Sequence, residues 1–281
     1  MRILLIFLVT IQMIVADFKK VVAIDWTAAE ILGSLGYEIA AIGDKRNYKI
    51  WVKEPELSEN VVDLGLRMQP NLESLIKIKP DITIIPSFFK FHQNTLSQYS
   101  NVAVIDAYKD GNLYENLINA TKEIAQLIDR EKEAANLISR NEEIFKILKD
   151  KVKFFTSAPI AVVQFIDSKR LRIYGKNSIY GISLEKLGLI NAIKDEFATN
   201  LWGIATIPLT ALFHLPNNTR IVIIKPNPIN IEYELKFNSI YRELKLFENR
   251  IELDPVWSAG AIASMQKFAY RLVFELKSQL K

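Results

Sequence analysis

The chain has 281 residues, 49% of them hydrophobic and 24% charged, with a formal net charge of +4 and no cysteine. This is an ordinary globular balance, which excludes long disorder and leaves room for one large domain or two of ordinary size. Without cysteine there is no disulfide framework, thiolate metal site, cysteine nucleophile or lipid-modified N-terminal Cys. The basic residues are interleaved with acids, so no nucleic-acid footprint stands out.

Residues 1–16, MRILLIFLVTIQMIVA, resemble a secretory signal peptide, with Arg2 as the positive start, Ile3 to Val15 as the apolar stretch and Ala16 as a cleavage site. The stretch is short of the roughly 20 residues a spanning helix needs. Ile14 is bulky where a small residue is preferred, which keeps an uncleaved anchor as the alternative. Export, with no cysteine, points to a soluble periplasmic protein.

Residues 20–43 then alternate a β-rich run, Val21 to Ile24, with a helical pattern ending at Gly36, and a second strand over Ile39 to Ile42. Two more strands are expected at 81–85 and 102–105, with a helix over 92–99 between them. From Leu113 the texture is helical, and a helix from about 130 to 152, N-capped by Asp129, is predicted with Ala135, Ile138, Ile144 or Phe145, and Leu148 on its apolar face. Paired strands at 159–167 and 170–175, a helix ending at Gly188, a buried strand from Arg220, a helix over 235–246, a strand at 249–254 and a closing helix from Ala261 to Leu280 complete the pattern. The expected fold class is α/β: two α/β lobes with mainly parallel sheets, 17–129 and 154–281, joined by one long helix, 130–153.

Chemistry-bearing motifs are few. There is no phosphate-binding glycine loop, H-E-x-x-H or G-x-S-x-G. His92 and His214 are isolated, and a surface or capping role is expected for each. The carboxylates of DREKE and NEEIFK sit among lysines and arginines on a solvated helix face. The aromatics carry more information. Trp26, Trp51, Trp202 and Trp257 lie near strand ends or loops, where a cleft between α/β lobes takes its ligand. Arg67 stands between an apolar run and a turn, and a guanidinium there needs a partner. On residues alone, an internal ion pair with Asp63 is as good an account as a ligand contact.

The segments VVAIDWTAAEILGSLG, NYKIWVKEP, VVDLGLRMQPNLESLIKIKPDITII, YGKNSIYG, TNLWGIA and DPVWSAGA resemble, in order and approximate spacing, the periplasmic ferric-hydroxamate siderophore binding proteins of ABC importers. The resemblance runs from about residue 20 to the C-terminus. It implies two lobes joined by a long helix, no catalysis and no resident cofactor or protein-bound metal. The ligand it implies is a preformed Fe(III)–siderophore complex. By position, Arg67 matches the arginine that donates to iron-bound hydroxamate oxygens. Trp51, Trp202 and Trp257 match aromatics that wall the pocket, with Tyr48 beside Trp51. Phe89 replaces a hydroxamate-binding tyrosine, for which Tyr99 or Tyr108 are candidate substitutes. Ile204 replaces a serine, and Arg172 brings a charge where the relative has an apolar residue. Glu73 matches an acidic residue that docks on the permease, while the second-lobe counterpart is Thr210. The implied partners are a ferric hydroxamate siderophore and an inner-membrane ABC permease with its ATPase, with the receptor a monomer that binds no nucleic acid. Rival readings keep the fold with cobalamin, haem or a catecholate siderophore, or make the chain a secreted α/β hydrolase that lacks a nucleophile motif.

Overall fold

The computed structural model describes residues 19–279; the signal-peptide expectation lies outside them. The first sheet orders its strands β3-β2-β1-β4-β5, all parallel: β1 (Val21–Ala23), β2 (Ala41–Ile42), β3 (Val62–Asp63), β4 (Ile82–Ile85) and β5 (Asn101–Val104). Helices α1 (Trp26–Ser34), α2 (Lys45–Trp51), α3 (Leu72–Ile78), α4 (Gln93–Leu96) and α5 (Leu113–Leu127) connect and cover it. The 22-residue α6 (Glu131–Val152) then leads to the second sheet. That sheet runs β10-β9-β6-β7-β8, with β6 (Ile160–Phe165), β7 (Arg170–Tyr174), β8 (Ile204–Pro208), β9 (Arg220–Ile224) and β10 (Ile251–Leu253). Its β6, β9 and β10 are parallel, whereas β6, β7 and β8 form an antiparallel meander. The second half also carries α7 (Ile179–Lys186), α8 (Ile231–Lys236), α9 (Ser239–Glu243) and α10 (Ile262–Ser278). The molecule is two α/β lobes, each built on a five-stranded sheet. Among the described residues no helix is long and apolar enough to cross a membrane.

The near-continuous apolar runs in the central strands follow from burial on both faces. Side chains alternate across a strand. Val21 and Ala23 enter the main core, while Val22 and Ile24 enter a smaller cluster with Leu64, Leu75 and Phe89 on the other face. In the second sheet Ile160 and Val162 face the main core, and Ala161 and Val163 face another cluster with Ile221 and Ile223. The main core therefore runs without a break from one lobe to the other, with α1, α5, α6, α7 and α10 between the sheets.

Several elements differ from the sequence expectation. The apolar stripe of α6 starts at Ala134 and includes Asn141, with Ala135 exposed. A buried Asn fits there because its Nδ2 donates to the Tyr114 hydroxyl at 2.8 Å. Asp129 adopts a left-handed conformation and pairs with Lys19 at 3.0 Å, leaving Arg130 at the N-cap. The expected helix over 235–246 is split at Asn238, whose Nδ2 donates to the Ser168 carbonyl while its Oδ1 caps the amide of Tyr241. The expected helix over 92–99 is a 3-10 turn, Ser87–His92, followed by the single-turn α4. The short strands β3 and β8 and helix α2 carry too little periodicity to stand out.

The lobes are joined by a side chain as well as by α6. Helix α10 has Ala261 at its N-cap, which supplies no side-chain cap. Glu30, fully buried on α1, caps it from the other lobe. Its Oε1 accepts from the amides of Ala261 (2.9 Å) and Ser264 (2.8 Å), and its Oε2 accepts from Ser264 Oγ at 2.7 Å. These are orphan donors of a helix N-terminus, which also favours a carboxylate. A side chain at residue 260 would overlap the cap: a Cβ there would lie 2.2 Å from Ser264 Oγ and 2.8 Å from Glu30 Oε2, so Gly260 is required. One turn further on, the buried Lys267 donates to the carbonyls of Val52 (2.9 Å) and Glu54 (3.1 Å).

Burial raises the Glu30 pKa, and the Ser264 hydrogen bonds and the Lys267 charge only partly oppose it. A raised folded-state value means that folding favours the protonated form. The associated stability is present below the ordinary carboxyl value of 4.5 and is lost as pH rises through the raised value. Glu30→Gln keeps one acceptor oxygen for the two amides and offers an N–H to Ser264 Oγ. It is expected to retain near-native stability and to flatten this pH dependence. Glu30→Ala strands buried donors and is expected to cost about 1–3 kcal/mol or more. Urea denaturation of the three proteins between pH 4 and pH 8 checks both outcomes.

Candidate functional site

A cleft of about 640 Å³ opens between the lobes. In the first sheet the strand order reverses between β1 and β4, and the carboxyl ends of these parallel strands form a topological switch point, where open α/β sheets bind ligands. Asp25 follows β1, Pro86 to Phe89 follow β4, and Ile105 to Tyr108 follow β5; all line the cleft. The opposite wall is made by Arg172 on β7, the turn and strand from Asn200 to Thr206, and Trp257 to Ala259 between β10 and α10.

Arg67 lies on the first-lobe side. Its guanidinium carbon is 3.8 Å from the centroid of the Trp26 ring and 5.7 Å from that of Trp257. The two indoles meet edge to face at 4.7 Å. Cation–π contact of this kind contributes about 0.5–2 kcal/mol, more as water is excluded. The acid opposite Arg67 is Asp25, at 3.6 Å, too long for a hydrogen bond. Asp25 is already committed: its other oxygen caps α1 by accepting from the Thr27 amide at 2.8 Å. Side-chain exposures of 26% for Arg67 and 17% for Asp25 leave the pair open to the cleft. Among the described residues Arg67 therefore has a charge partner and an aromatic seat, and its hydrogen-bond donors are unspent.

The suspected partner Asp63 has a different task. Its Oδ1 accepts from the amides of Gly65 (2.9 Å) and Lys45 (3.2 Å), fixing the turn that precedes Arg67. Trp26 is held in turn by Gly43, whose carbonyl accepts from the indole Nε1 at 2.8 Å. The stem of Arg67 passes over the same glycine. A Cβ on Gly43 would lie 2.6 Å from the Ile24 carbonyl and 2.8 Å from Arg67 Cγ.

Of the aromatics expected in the wall, Trp202, Trp257 and Phe89 line the cleft, together with Ile204 and Arg172. Tyr48 and Trp51 do not, which corrects their expected place. Tyr48 is fully buried behind Trp26, 6.3 Å from it edge to face, and donates to the Pro55 carbonyl. Trp51 ends α2 and packs, partly buried, against the main core. Trp26 takes the position nearest the cation; its placement directly after a strand-end Asp, at the start of a helix, was the available signal.

Phe88, exposed, adds an aromatic that sequence reasoning missed, edge to face with Trp202 at 6.2 Å across the mouth. Tyr108 also lines the cleft and stacks with Trp202, but its hydroxyl donates to the Gly260 carbonyl at 2.6 Å. Burial, reinforced by the charges of Glu30 and Asp25, raises its pKa well above the ordinary value, so it stays a neutral donor committed to that carbonyl. Tyr99 packs with the cluster on the far face of the first sheet. Tyr108 has thus committed its hydroxyl, and Tyr99 is not among the cleft-lining residues.

Both histidines lie outside the cleft lining, and His92 is tied to the Met68 carbonyl at 2.8 Å. Among the described residues no three His, Asp or Glu side chains converge as a metal-ligand set. Glu73 is exposed in the first turn of α3, and Thr210 is exposed in the 3-10 segment Leu209–His214.

Residues 21–259 match the family model for periplasmic binding proteins. The iron(3+)-hydroxamate-binding protein FhuD of Escherichia coli (strain K12) is 28% identical over 199 residues. That match covers 70% of this chain and 66% of the relative, just under two thirds of its length. Among solved structures, the Fe3+–Desferal-bound siderophore binding protein FhuD from Vibrio cholerae superposes with a TM-score of 0.85 at 23% identity, covering 92% of this chain and 98% of that one. Staphylococcus aureus SirA complexed with staphyloferrin B gives 0.66 at 20% identity, over 92% and 93% of the two chains. At these identities the solved structures establish a shared fold.

The Gly43 packing gives a direct test. Gly43→Ala is expected to push Arg67 off Trp26 and to destabilise the protein by about 1–3 kcal/mol through overpacking, read from urea denaturation. Loss of the contact should also change the tryptophan emission spectrum of the folded protein.

Proposed function

The chain belongs to the periplasmic binding protein family, and we propose that it is an exported receptor that captures a ferric hydroxamate siderophore between its lobes and delivers it to an ABC importer. One observation carries the reading: Arg67 rests on Trp26 with its hydrogen-bond donors unspent, at the edge of a cleft walled by Trp202, Trp257, Phe88 and Phe89.

Iron-bound hydroxamate oxygens are electron-rich, and a guanidinium offers a fixed fork of N–H donors with a permanent charge. Asp25 holds that charge in place without using its donors. When ligand oxygens arrive, the guanidinium exchanges a loose ion pair for short charge-assisted hydrogen bonds. Indole and phenyl faces suit the carbon framework of the siderophore. The siderophore supplies the iron's oxygen ligands, so the protein needs no metal-binding set of its own and no resident cofactor. With a phenyl at residue 89 on the first lobe and Ile204 on the second in place of hydroxyls, polar recognition of the iron-bound oxygens rests on Arg67. The reading is of a binding protein without turnover.

The iron(3+)-hydroxamate-binding protein FhuD of Escherichia coli, at 28% identity, supports the ligand class, and membership of the periplasmic binding protein family supports a carrier role. Delivery assigns Glu73 to the permease contact, since it stands exposed on the first lobe. Thr210 offers no charge at the corresponding place on the second, so docking is asymmetric. The receptor acts as a periplasmic monomer.

Titration of intrinsic tryptophan fluorescence with ferrichrome and with ferrioxamine tests the proposal. Saturable quenching by a ferric hydroxamate is expected, and its absence with every hydroxamate tried would sink the assignment. Arg67→Ala should weaken binding by about 1.5–3 kcal/mol, the range for a hydrogen bond to a charged group. Unchanged affinity would reduce Arg67 to a structural partner of Asp25.

A further inference from the structure

Arg172 is the second cation of the cleft, and its surroundings differ from those of Arg67. It lies in the centre of the antiparallel part of the second sheet, paired with Gln164 on β6 and Thr206 on β8. Directly opposed residues share a face of the sheet, so Gln164, Arg172 and Thr206 make one polar row across the second-lobe wall. Leu171 and Ile173 point the other way, into the outer core cluster.

The row is built from the inside outward. Gln164 is buried, and its amide donates to the Ile224 carbonyl at 3.4 Å while its Oε1 accepts from the Tyr174 hydroxyl at 3.2 Å. The same oxygen accepts from Arg172 Nη1 at 3.1 Å. One N–H of the guanidinium is thereby pinned to a fixed neutral acceptor, and four of its five donors stay available. Among the described residues no carboxylate lies within ion-pair distance of Arg172. The cleft's acids, Asp25 and Asp106, both stand at strand ends of the first lobe. Asp106 accepts from the Ser87 amide at 2.7 Å, and Asp25 faces Arg67. A half-buried, pre-oriented guanidinium with no counter-charge favours an anionic ligand group, and a carboxylate fits its fork bidentately. Thr206, on the same face and lining the cleft, adds a hydroxyl beside it.

We propose that Arg172, oriented by Gln164 and flanked by Thr206, binds a free carboxylate of the ligand, so that the cleft selects ferric hydroxamates carrying an acidic group remote from the iron. This rests on the receptor function proposed above. A ferric trihydroxamate is neutral at its centre, since three hydroxamate charges balance Fe(III). Arg67 then attends to the iron-bound oxygens, while Arg172 selects for charge at the periphery of the ligand.

Three ferric complexes of one linear trihydroxamate separate these roles: ferrioxamine B with its terminal ammonium, its N-acetyl derivative, which is neutral, and its N-succinyl derivative, which ends in a carboxylate. Fluorescence titration of the purified protein should give tenfold or tighter binding of the succinyl over the acetyl complex, with the ammonium form weakest. Added salt should narrow the preference. Arg172→Gln should bring the succinyl-to-acetyl ratio close to one, with a native circular dichroism spectrum and urea midpoint certifying the fold. Equal affinities in the native protein, or a preference that survives Arg172→Gln, overturn the carboxylate site while leaving the receptor function standing. No saturable binding of any of the three overturns both.

Discussion

Helix α1 holds the molecule together at the place where it works. Its fifth residue, Glu30, is buried without a water-facing side and spends its carboxyl on the first turn of α10, more than 200 residues away in sequence. That single cap sets where α10 begins. It thereby sets where the preceding loop, Trp257 to Gly260, hangs over the first lobe. Thr27 Oγ1 donates to the Ala259 carbonyl at 2.6 Å, and Tyr108 donates to Gly260 on the same stretch. A buried carboxyl is expensive unless its hydrogen-bonding capacity is filled. The cap therefore acts as a geometric specification: small displacements of one lobe on the other would strand it.

The ligand end of α1 uses the same economy of parts. Asp25 caps the helix with one oxygen and faces Arg67 with the other, and Trp26 provides the surface on which the guanidinium lies. Gly43 anchors that indole and clears the path of the arginine stem. Arg67 is thus positioned by backbone groups at the carboxyl ends of β1 and β2, which are among the most buried parts of the first lobe. The two lobes offer different chemistry across the cleft: a first wall in which the cation is matched by an acid, and a second in which it is matched only by an amide oxygen. With the interlobe cap and a core continuous between the sheets, this favours a receptor that adjusts locally around its ligand over one that opens widely.

Much of this architecture is legible in the sequence, because its signals are periodic. Strands buried on both faces read as unbroken apolar runs, and the helix ending at Gly36 closes with the positive φ that glycine tolerates. The aromatic wall is legible for Trp202 and Trp257, which sit in turns. Tyr48 and Trp51 mislead because α2 is only seven residues long, and its fold-back, which buries Tyr48 behind Trp26, leaves no periodic trace. The partner of Arg67 is hidden for a different reason. Asp63 is near in sequence, but Asp25 is brought near by parallel pairing of β1, β2 and β3, a contact between strand ends that no local pattern encodes. Glu30 is likewise invisible: within an apolar helix its burial depends on donors supplied by the other end of the chain.

The claim on which the account stands is that Arg67 turns its donors to iron-bound oxygens within the cleft. A crystal structure of the protein with a ferric trihydroxamate tests it most directly. The account predicts guanidinium nitrogens about 2.7–3.2 Å from hydroxamate oxygens, with the ligand framework against Trp202 and Trp257. A complex in which the ligand sits elsewhere, or in which Arg67 remains on Asp25 with no ligand oxygen in reach, would contradict it.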